Sequence, residues 1–383
     1  MKILLVGEYS RLHNSLKEGL TALGHQVTLV GTGDYFKNFP ADIKLERKFN
    51  KGFSKKIKVV LYKLLNIDIA SIYLKNQFFK HKAGFKNHDV VQLINESPLG
   101  LLPKHEREVI SYLKKHNKKL FLLSCGTDHI SVQYAFNKKF RYSITTPFFE
   151  GKISEKKFYP ALKYLEEDYI QLHHYVYNTV DAVIASDMDY HIPLKDHPKY
   201  AGLHPNPVNT DQLQFVNNPV QEKIIIFHGI NRANFYKKGN DLFEEALKRI
   251  QHKYPEKAEI IITENIPYSE YINYYNKAHI LLDQVYAYDQ GYNALEAMAK
   301  GKVVFTGAEK EFLEHYNLKE DEVCINALPD VDALVEKLSW LIDDHGEITR
   351  IGQNARTFIE REHHYIKVAE KYLETWKKTK AHD

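Results

Sequence analysis

Apolar residues fall along this chain in short unbroken runs, and between the runs they recur at helical spacing. The first half holds runs at 2–7 (KILLVG), 26–31 (QVTLVG), 89–94 (DVVQLI), 119–124 (KLFLLS) and 181–186 (DAVIAS). After a polar link at 217–222 (NNPVQE) the pattern restarts at 223–229 (KIIIFHG), 258–263 (AEIIIT), 279–284 (HILLDQ) and 302–307 (KVVFTG). A run that is apolar at every position, without alternation, predicts a strand covered on both faces. Helices between such runs predict parallel sheets. The halves open alike, KILLVGEYS against KIIIFHGIN, with no shorter fixed period, so two domains are expected and not a solenoid. The predicted fold is α/β, with two doubly wound Rossmann-like domains over 1–217 and 218–383 facing across a cleft. Ligands are expected there, at the C-terminal ends of the strands.

One predicted helix carries chemistry. In YDQGYNALEAMAKG (288–301), small and helix-favouring residues lead to Gly301, which supplies a stop. Glu296 has two possible roles. Asn293-Ala-Leu-Glu296 spells a capping box, in which the glutamate serves a backbone N–H. Alternatively, the carboxylate faces a ligand. A second cluster lies in FHGINRANFYKKGNDLFEEAL. Asp241-Leu-Phe-Glu244 reads as another capping box, which puts Arg232, Lys237 and Lys238 at the positive end of a helix. Cations are disfavoured there by a few tenths to about 1 kcal/mol each, and a bound anion reverses the sign. Phosphate fits that combination. No G-x-G-x-x-G follows KILLVG, so the dinucleotide fingerprint is missing from its usual place.

Composition narrows the class. The chain has 383 residues, 44% hydrophobic and 27% charged, as expected of a globular protein with two cores. Cys125 and Cys324 lie far apart without metal-ligand spacing, which favours a reducing compartment. No signal-peptide pattern and no uncharged run long enough to cross a bilayer are seen, so a cytoplasmic, non-spanning protein is expected. The net charge of +4 conceals an asymmetry. Residues 44–86 hold twelve Lys/Arg and two acidic residues, a net +10 that leaves −6 on the rest. Within this basic segment, KKIKVVLYKLL (55–65) places Ile57, Val60, Leu61 and Leu64 on one helical face, ringed by Lys55, Lys56, Lys58 and Lys63. Such a helix suits an anionic membrane surface, here the inner face of the cell membrane. It equally suits a core-packing helix with a lysine-rich outer side. The acidic remainder and the lack of a binding motif argue against nucleic acid.

Strand–HGINR–KKG followed by QGYNALEAMAKGKVVF resembles the C-terminal domain of the family 4, GT-B-fold, retaining nucleotide-sugar glycosyltransferases. VDAVIAS (180–186) and HPNPVNTDQLQF (204–215) resemble that family's last N-domain strand and its lead into the linker. LLSCGTDHI (122–130) stands where the family has a polar strand end in the cleft. The resemblance spans nearly the whole chain. It implies a GT-B fold whose last helix, about 364–380, is a candidate to pack back on the N-terminal domain. It also implies a nucleotide-diphosphate sugar donor, a saccharide or lipid-linked acceptor, and no cofactor or metal. Arg232 and Lys238 would hold the donor diphosphate, Glu296 the ribose, and Gly291, Tyr292 and Asn293 the helix end beside them. Gly7 and Glu8, at the first strand end, are candidates to touch acceptor or diphosphate, unless Gly7 only permits a tight turn; Asp128 and Glu8 are candidates for contacts with sugar or acceptor, and Pro267 and Tyr268 stand where a base would lie. The leaving phosphate would take the acceptor proton, so no dedicated base is implied.

Departures from the family pattern bear on the sugar. Tyr288 stands eight residues before Glu296, where the family has a sugar-contacting glutamate. Asp289 next to it, or Asp283 and Gln284 of LLDQ, are the candidate replacements. Pro207 stands for the family glycine, and Arg232 to Lys238 is one residue longer than the common spacing, which keeps Lys237 as a rival. Asp187-Met-Asp189 reads as a helix start and not a metal site. His173, His174, His191, His197 and His204 lack a metalloprotease spacing, and no G-x-S-x-G elbow occurs. Two other functions stay open: a nucleotide-sugar epimerase or hydrolase of the same fold, and a non-catalytic adaptor using the basic segment.

Overall fold

All nine predicted strands form, joined by three short ones, and they build two parallel sheets. The computed structural model describes residues 1–33, 39–65, 67–217, 219–266 and 268–380, the side chains of 268 and 269 excepted. By contacts the chain divides into two units. One comprises 1–133, 160–207 and 365–383, and the other 134–159 and 208–364.

The first unit contains β1 (Lys2–Val6), β2 (Gln26–Gly31), β3 (Ile43–Lys44), β4 (Val90–Leu93), β5 (Leu120–Ser124), β6 (Ala182–Ala185) and β7 (Tyr200–Leu203). Their order is β3-β2-β1-β4-β5-β6-β7, a doubly wound sheet whose direction of growth switches between β1 and β4. The sheet is buried on both faces. Leu4, Val6, Val91, Leu93 and Leu122 pack on one side, and Ile3, Leu5, Val90, Phe121 and Ile184 on the other. Helix α1 (Leu12–Ala22) covers the second face together with the final helix Tyr365–Lys378. These two helices meet closely: a Cβ on Gly19 would lie 2.3 Å from the Tyr365 carbonyl oxygen. The final helix is tied down by Trp376, whose Nε1 donates to Gln92 Oε1 at 3.1 Å, and by Lys119 Nζ, which donates to the Trp376 carbonyl at 2.7 Å. On this unit, α2 (Gly52–Leu65) precedes α3 (Ile69–Lys80), which Asp68 caps through the Ala70 and Ser71 N–H groups.

The second unit contains β8 (Ile224–Ile230), β9 (Ala258–Glu264), β10 (Ile280–Leu282), β11 (Val303–Thr306) and β12 (Ile325–Asn326), ordered β12-β11-β10-β8-β9. This is the second common doubly wound order, with its switch between β8 and β10. Leu282 pairs with His228, so Asp283 leaves β10 beside Gly229 at that switch, while β8 runs on to Ile230 against β9. Residues 134–159 lie before the 217/218 link in sequence and pack within this unit in space. Their anchor is Tyr288, which is buried. Its hydroxyl accepts from the Arg141 N–H at 2.8 Å, its ring lies against Phe140 and Tyr142, and the Arg141 guanidinium stands 4.8 Å over it. Arg141 also bridges to Glu309 and Glu311, and the Tyr142 hydroxyl donates to Glu309. Glu309→Ala would leave a buried phenol and a half-exposed guanidinium short of an acceptor. The expected cost is about 1–3 kcal/mol, read as a lower denaturant midpoint.

Candidate functional site

The strand-end side chains of the second unit form one hydrogen-bonded knot. Asp283 follows β10, and its side chain is 1% exposed. Its Oδ1 accepts from Lys238 Nζ at 2.9 Å and from Asn293 Nδ2 at 3.0 Å. Asn293 Oδ1 accepts in turn from the Tyr271 hydroxyl at 3.1 Å, and Gln284 Nε2 donates to the Asp289 carbonyl at 3.3 Å. Lys238 is also fixed through its backbone, since its carbonyl accepts from the Val285 N–H at 2.9 Å. The turn after it requires Gly239: φ is +71°, and a Cβ would lie 2.6 Å from Val285 Cβ.

The helix Tyr292–Ala299 begins beside this knot, and its start corrects a sequence expectation. Its N-cap is Gly291, not Asn293, so Glu296 falls at the fifth helical position and not the third that a capping box requires. Asn293 is spent on Asp283 and Tyr271. Gly291 brings no capping side chain to this start, and no acidic residue lies in its first turn. Glu296 is half-buried, one turn before Lys300, while its neighbours Ala294, Leu295, Ala297 and Met298 are buried. The stop is as expected: Gly301 takes φ +78°, with Gly301 N–H donating to Met298 and Lys302 N–H to Ala297, a Schellman ending.

The second predicted capping box fails in the same way. The helix Asn240–Lys253 is capped by Gly239, and Asp241 pairs with Lys152 at 3.0 Å instead. Both errors have one cause. In each, a glycine stands as N-cap two residues before the polar residue that seemed to cap the helix, left-handed at Gly239 and extended at Gly291.

Arg232 stands apart from the knot. It lies on the turn after β8, where its Nε donates to Glu264 Oε2 at 2.8 Å, Glu244 is 3.6 Å away, and the guanidinium covers the Phe235 ring. Lys237, its sequence rival for phosphate, is half-buried, and burial lowers its pKa. Asp289 is buried in the same turn as Tyr288, while Gly291 and Tyr292 are half-buried. Tyr288 itself is committed to the 140–142 segment. Pro267 and the side chain of Tyr268 lie outside the described residues.

In the first unit, Gly7, Glu8 and Asp128 have local structural work. Gly7 takes φ +89° and passes so close to β4's exit that a Cβ would stand 2.6 Å from the Pro98 carbonyl oxygen. Its own carbonyl accepts from His13 Nδ1 at 2.8 Å. Burial pushes that imidazole down to about 4, so it is neutral and donates. Glu8 Oε2 accepts from the N–H and Nδ2 of Asn14, in the first turn of α1. Asp128 accepts from the Ser131 N–H at 2.8 Å and from the Ser124 hydroxyl, holding the start of the helix His129–Phe136. Asp187 is likewise the N-cap of a short helix, Met188–Leu194.

Sequence reasoning passed over further buried polar groups. Beside Asp128, the Glu96 carboxyl meets His173 Nδ1 at 2.5 Å and is pushed well above the usual range by burial and by Asp128. In the second unit, Asn240 and Thr306 are buried with side-chain polar atoms lacking a partner among the described residues, as is Asp283 Oδ2. His228 is buried on β8 and held neutral, near 4. The available signal was a polar residue closing an apolar run, as in IIIFH and VVFT.

Comparison with known proteins adds the fold. Residues 226–374 match the family model described as glycosyl transferase-like. No curated protein sequence matches the chain. Sucrose-phosphate synthase from Thermosynechococcus elongatus is similar at TM-score 0.63 and 15% identity, with 98% of each chain covered. HepE from Anabaena, solved with UDP and glucose, is similar at TM-score 0.59 and 10% identity, over 98% of this chain and 99% of that one. A glycosyltransferase from Rickettsia africae is similar at TM-score 0.55 and 14% identity, over 98% and 97%. At such identities these likenesses establish the architecture: two parallel-sheet α/β domains of the GT-B fold.

Proposed function

We propose that this protein is a retaining, metal-independent glycosyltransferase that moves a sugar from a nucleotide-diphosphate donor to a saccharide or lipid-linked acceptor. The setting we assign is cytoplasmic, in the synthesis of cell-surface polysaccharide or glycoconjugate. The observation that carries the reading is the convergence on one sheet edge of Lys238 and the glycine-capped start of the helix Tyr292–Ala299, at the β8/β10 switch, within a glycosyl transferase-like segment. A helix end without its own carboxylate and a lysine held beside it form a setting for phosphate. In the reaction, the bond between the sugar's anomeric carbon and the diphosphate oxygen breaks. A bond from that carbon to the acceptor oxygen forms on the same face, and the acceptor proton passes to the leaving phosphate. Arg232, Lys238 and the helix end neutralise the charge that grows there, so catalysis rests on positioning and electrostatics. We assign the ribose hydroxyls to Glu296. Tyr288 being committed to packing, the sugar is read through Asp283, Gln284 and Asp289.

A thermal-shift screen over UDP, GDP, ADP and CMP sugars tests the reading. A true donor at 100 times its dissociation constant stabilises the fold by about 2.7 kcal/mol. Turnover of that donor without any acceptor would instead indicate an epimerase or hydrolase. If no nucleotide sugar stabilises the protein, the donor reading is wrong and an adaptor role is left.

A further inference from the structure

From α2 of the first unit we infer a membrane-docking element: its apolar stripe enters the interface of an anionic bilayer while its lysines meet the head groups. None of the fourteen residues of α2 is buried. Phe53, Ile57, Val60 and Leu64 recur at intervals of four, three and four, which puts them on one stripe of the helix. Phe53 is 77% exposed and Leu64 76%, with Ile57 and Val60 also open. The partly covered face is a different one, carried by Ser54, Lys58 and Leu61. The stripe is therefore not the face by which α2 rests on its own protein. Of the four residues that a core-packing helix would bury, Ile57, Val60 and Leu64 are exposed and Leu61 is half-covered.

Charge selects the occupant. Lys56 and Lys63 flank the stripe, Lys55 stands on the opposite side of the helix, and none of the three is ion-paired among the described residues. Elsewhere in the segment, Asp68 is occupied as the cap of α3, and Lys75 is neutralised by Glu108. Unpaired ammonium groups beside a continuous exposed apolar stripe match a surface that is negative at its skin and apolar just beneath, as an anionic bilayer is. An acidic protein partner would match the lysines and leave Phe53 and Leu64 without cover. Long lysine stems let the head groups be reached while the stripe is inserted. The inference goes beyond the transferase reading and does not need it, since docking is read without nucleotide or turnover.

The test uses the full chain with vesicles of phosphatidylcholine alone, or of equal parts phosphatidylcholine and phosphatidylglycerol. Sedimentation should show binding to the anionic vesicles only, weakening about tenfold or more as salt rises from about 0.05 to about 0.5 M. The double variant Phe53→Ser with Leu64→Ser should lose binding about 10–100-fold at unchanged circular dichroism, and Lys55→Glu with Lys56→Glu and Lys63→Glu should abolish it. Phe53→Trp supplies a direct reading, because the indole emission should shift to the blue on anionic vesicles. Equal binding to both vesicle types, binding indifferent to salt or to the Phe53/Leu64 pair, an unshifted indole, or no binding at all would each overturn the inference. A failed nucleotide screen would leave it standing.

Discussion

Arg232→Ala is expected to lower kcat/KM by about 10²–10³-fold, the scale of losing one positioned donor to developing charge, with a melting temperature close to wild type. The fold is spared because the guanidinium stands at an open turn, where its pairs with Glu264 and Glu244 are solvent-screened. Lys238→Ala should cost as much in rate and also some stability. It strips a buried carboxylate, Asp283, of its cation and leaves Asn293 as its remaining donor in the knot. Because Lys238 is itself partly exposed, the loss should be about 1–3 kcal/mol and not the larger figure for a fully buried pair. The double variant Lys238→Met with Asp283→Asn separates the two effects, since it removes the orphaned charge. Stability should return while the rate does not. Lys237→Ala is the control for register. If it proves the damaging change and Lys238→Ala turns over normally, the phosphate ligand is Lys237. If all three variants are fully active, the diphosphate assignment collapses.

Glu296→Gln should leave the fold intact and weaken nucleotide binding about 10–100-fold, seen as a smaller thermal shift at fixed ligand and as a raised KM with a lesser change in kcat. The structural alternative, a capping glutamate, has lost its footing. The helix starts at Tyr292 under Gly291, so this carboxylate is not at the position from which it would serve the N-cap N–H. A ribose diol offers two donors to one carboxylate, a charge-assisted pair that an amide replaces poorly. Wild-type donor affinity in Glu296→Gln would remove the residue from the site. Asn293→Ala should now act differently from a lost cap. Asn293 bonds Asp283 and Tyr271, so its removal should loosen Lys238 and Asp283 together and lower kcat/KM as well as stability.

The central strands were legible because burial on both faces forces every residue of the run to be apolar, and such runs stand out in any sequence. β3, β7 and β12 were not, since Ile43–Lys44, Tyr200–Leu203 and Ile325–Asn326 are short, and all three stand at edges of their sheets. An edge strand has one neighbour and a solvated flank, so no continuous apolar run is demanded of it. The helix stop at Gly301 could be read because αL backbone selects glycine locally. The starts at Gly239 and Gly291 were misread because a capping box is only a pattern of side chains, whereas the cap is decided by where the preceding turn delivers the backbone.

By itself the sequence determined the α/β class, the duplicated plan, the parallel pairing and the basic amphipathic segment, because periodicity and charge are properties of neighbouring residues. Tertiary structure alone decided which carboxylate faces which cation. Lys238 is held by Asp283, 45 positions away, and Arg232 by Glu264, 32 positions away. It alone decided that Tyr288 anchors residues 140–142, and that the stripe of α2 is left open and not packed. Each of these is a contact between residues distant in the chain. Such a contact is fixed by strand order and helix placement, which local pattern constrains only weakly.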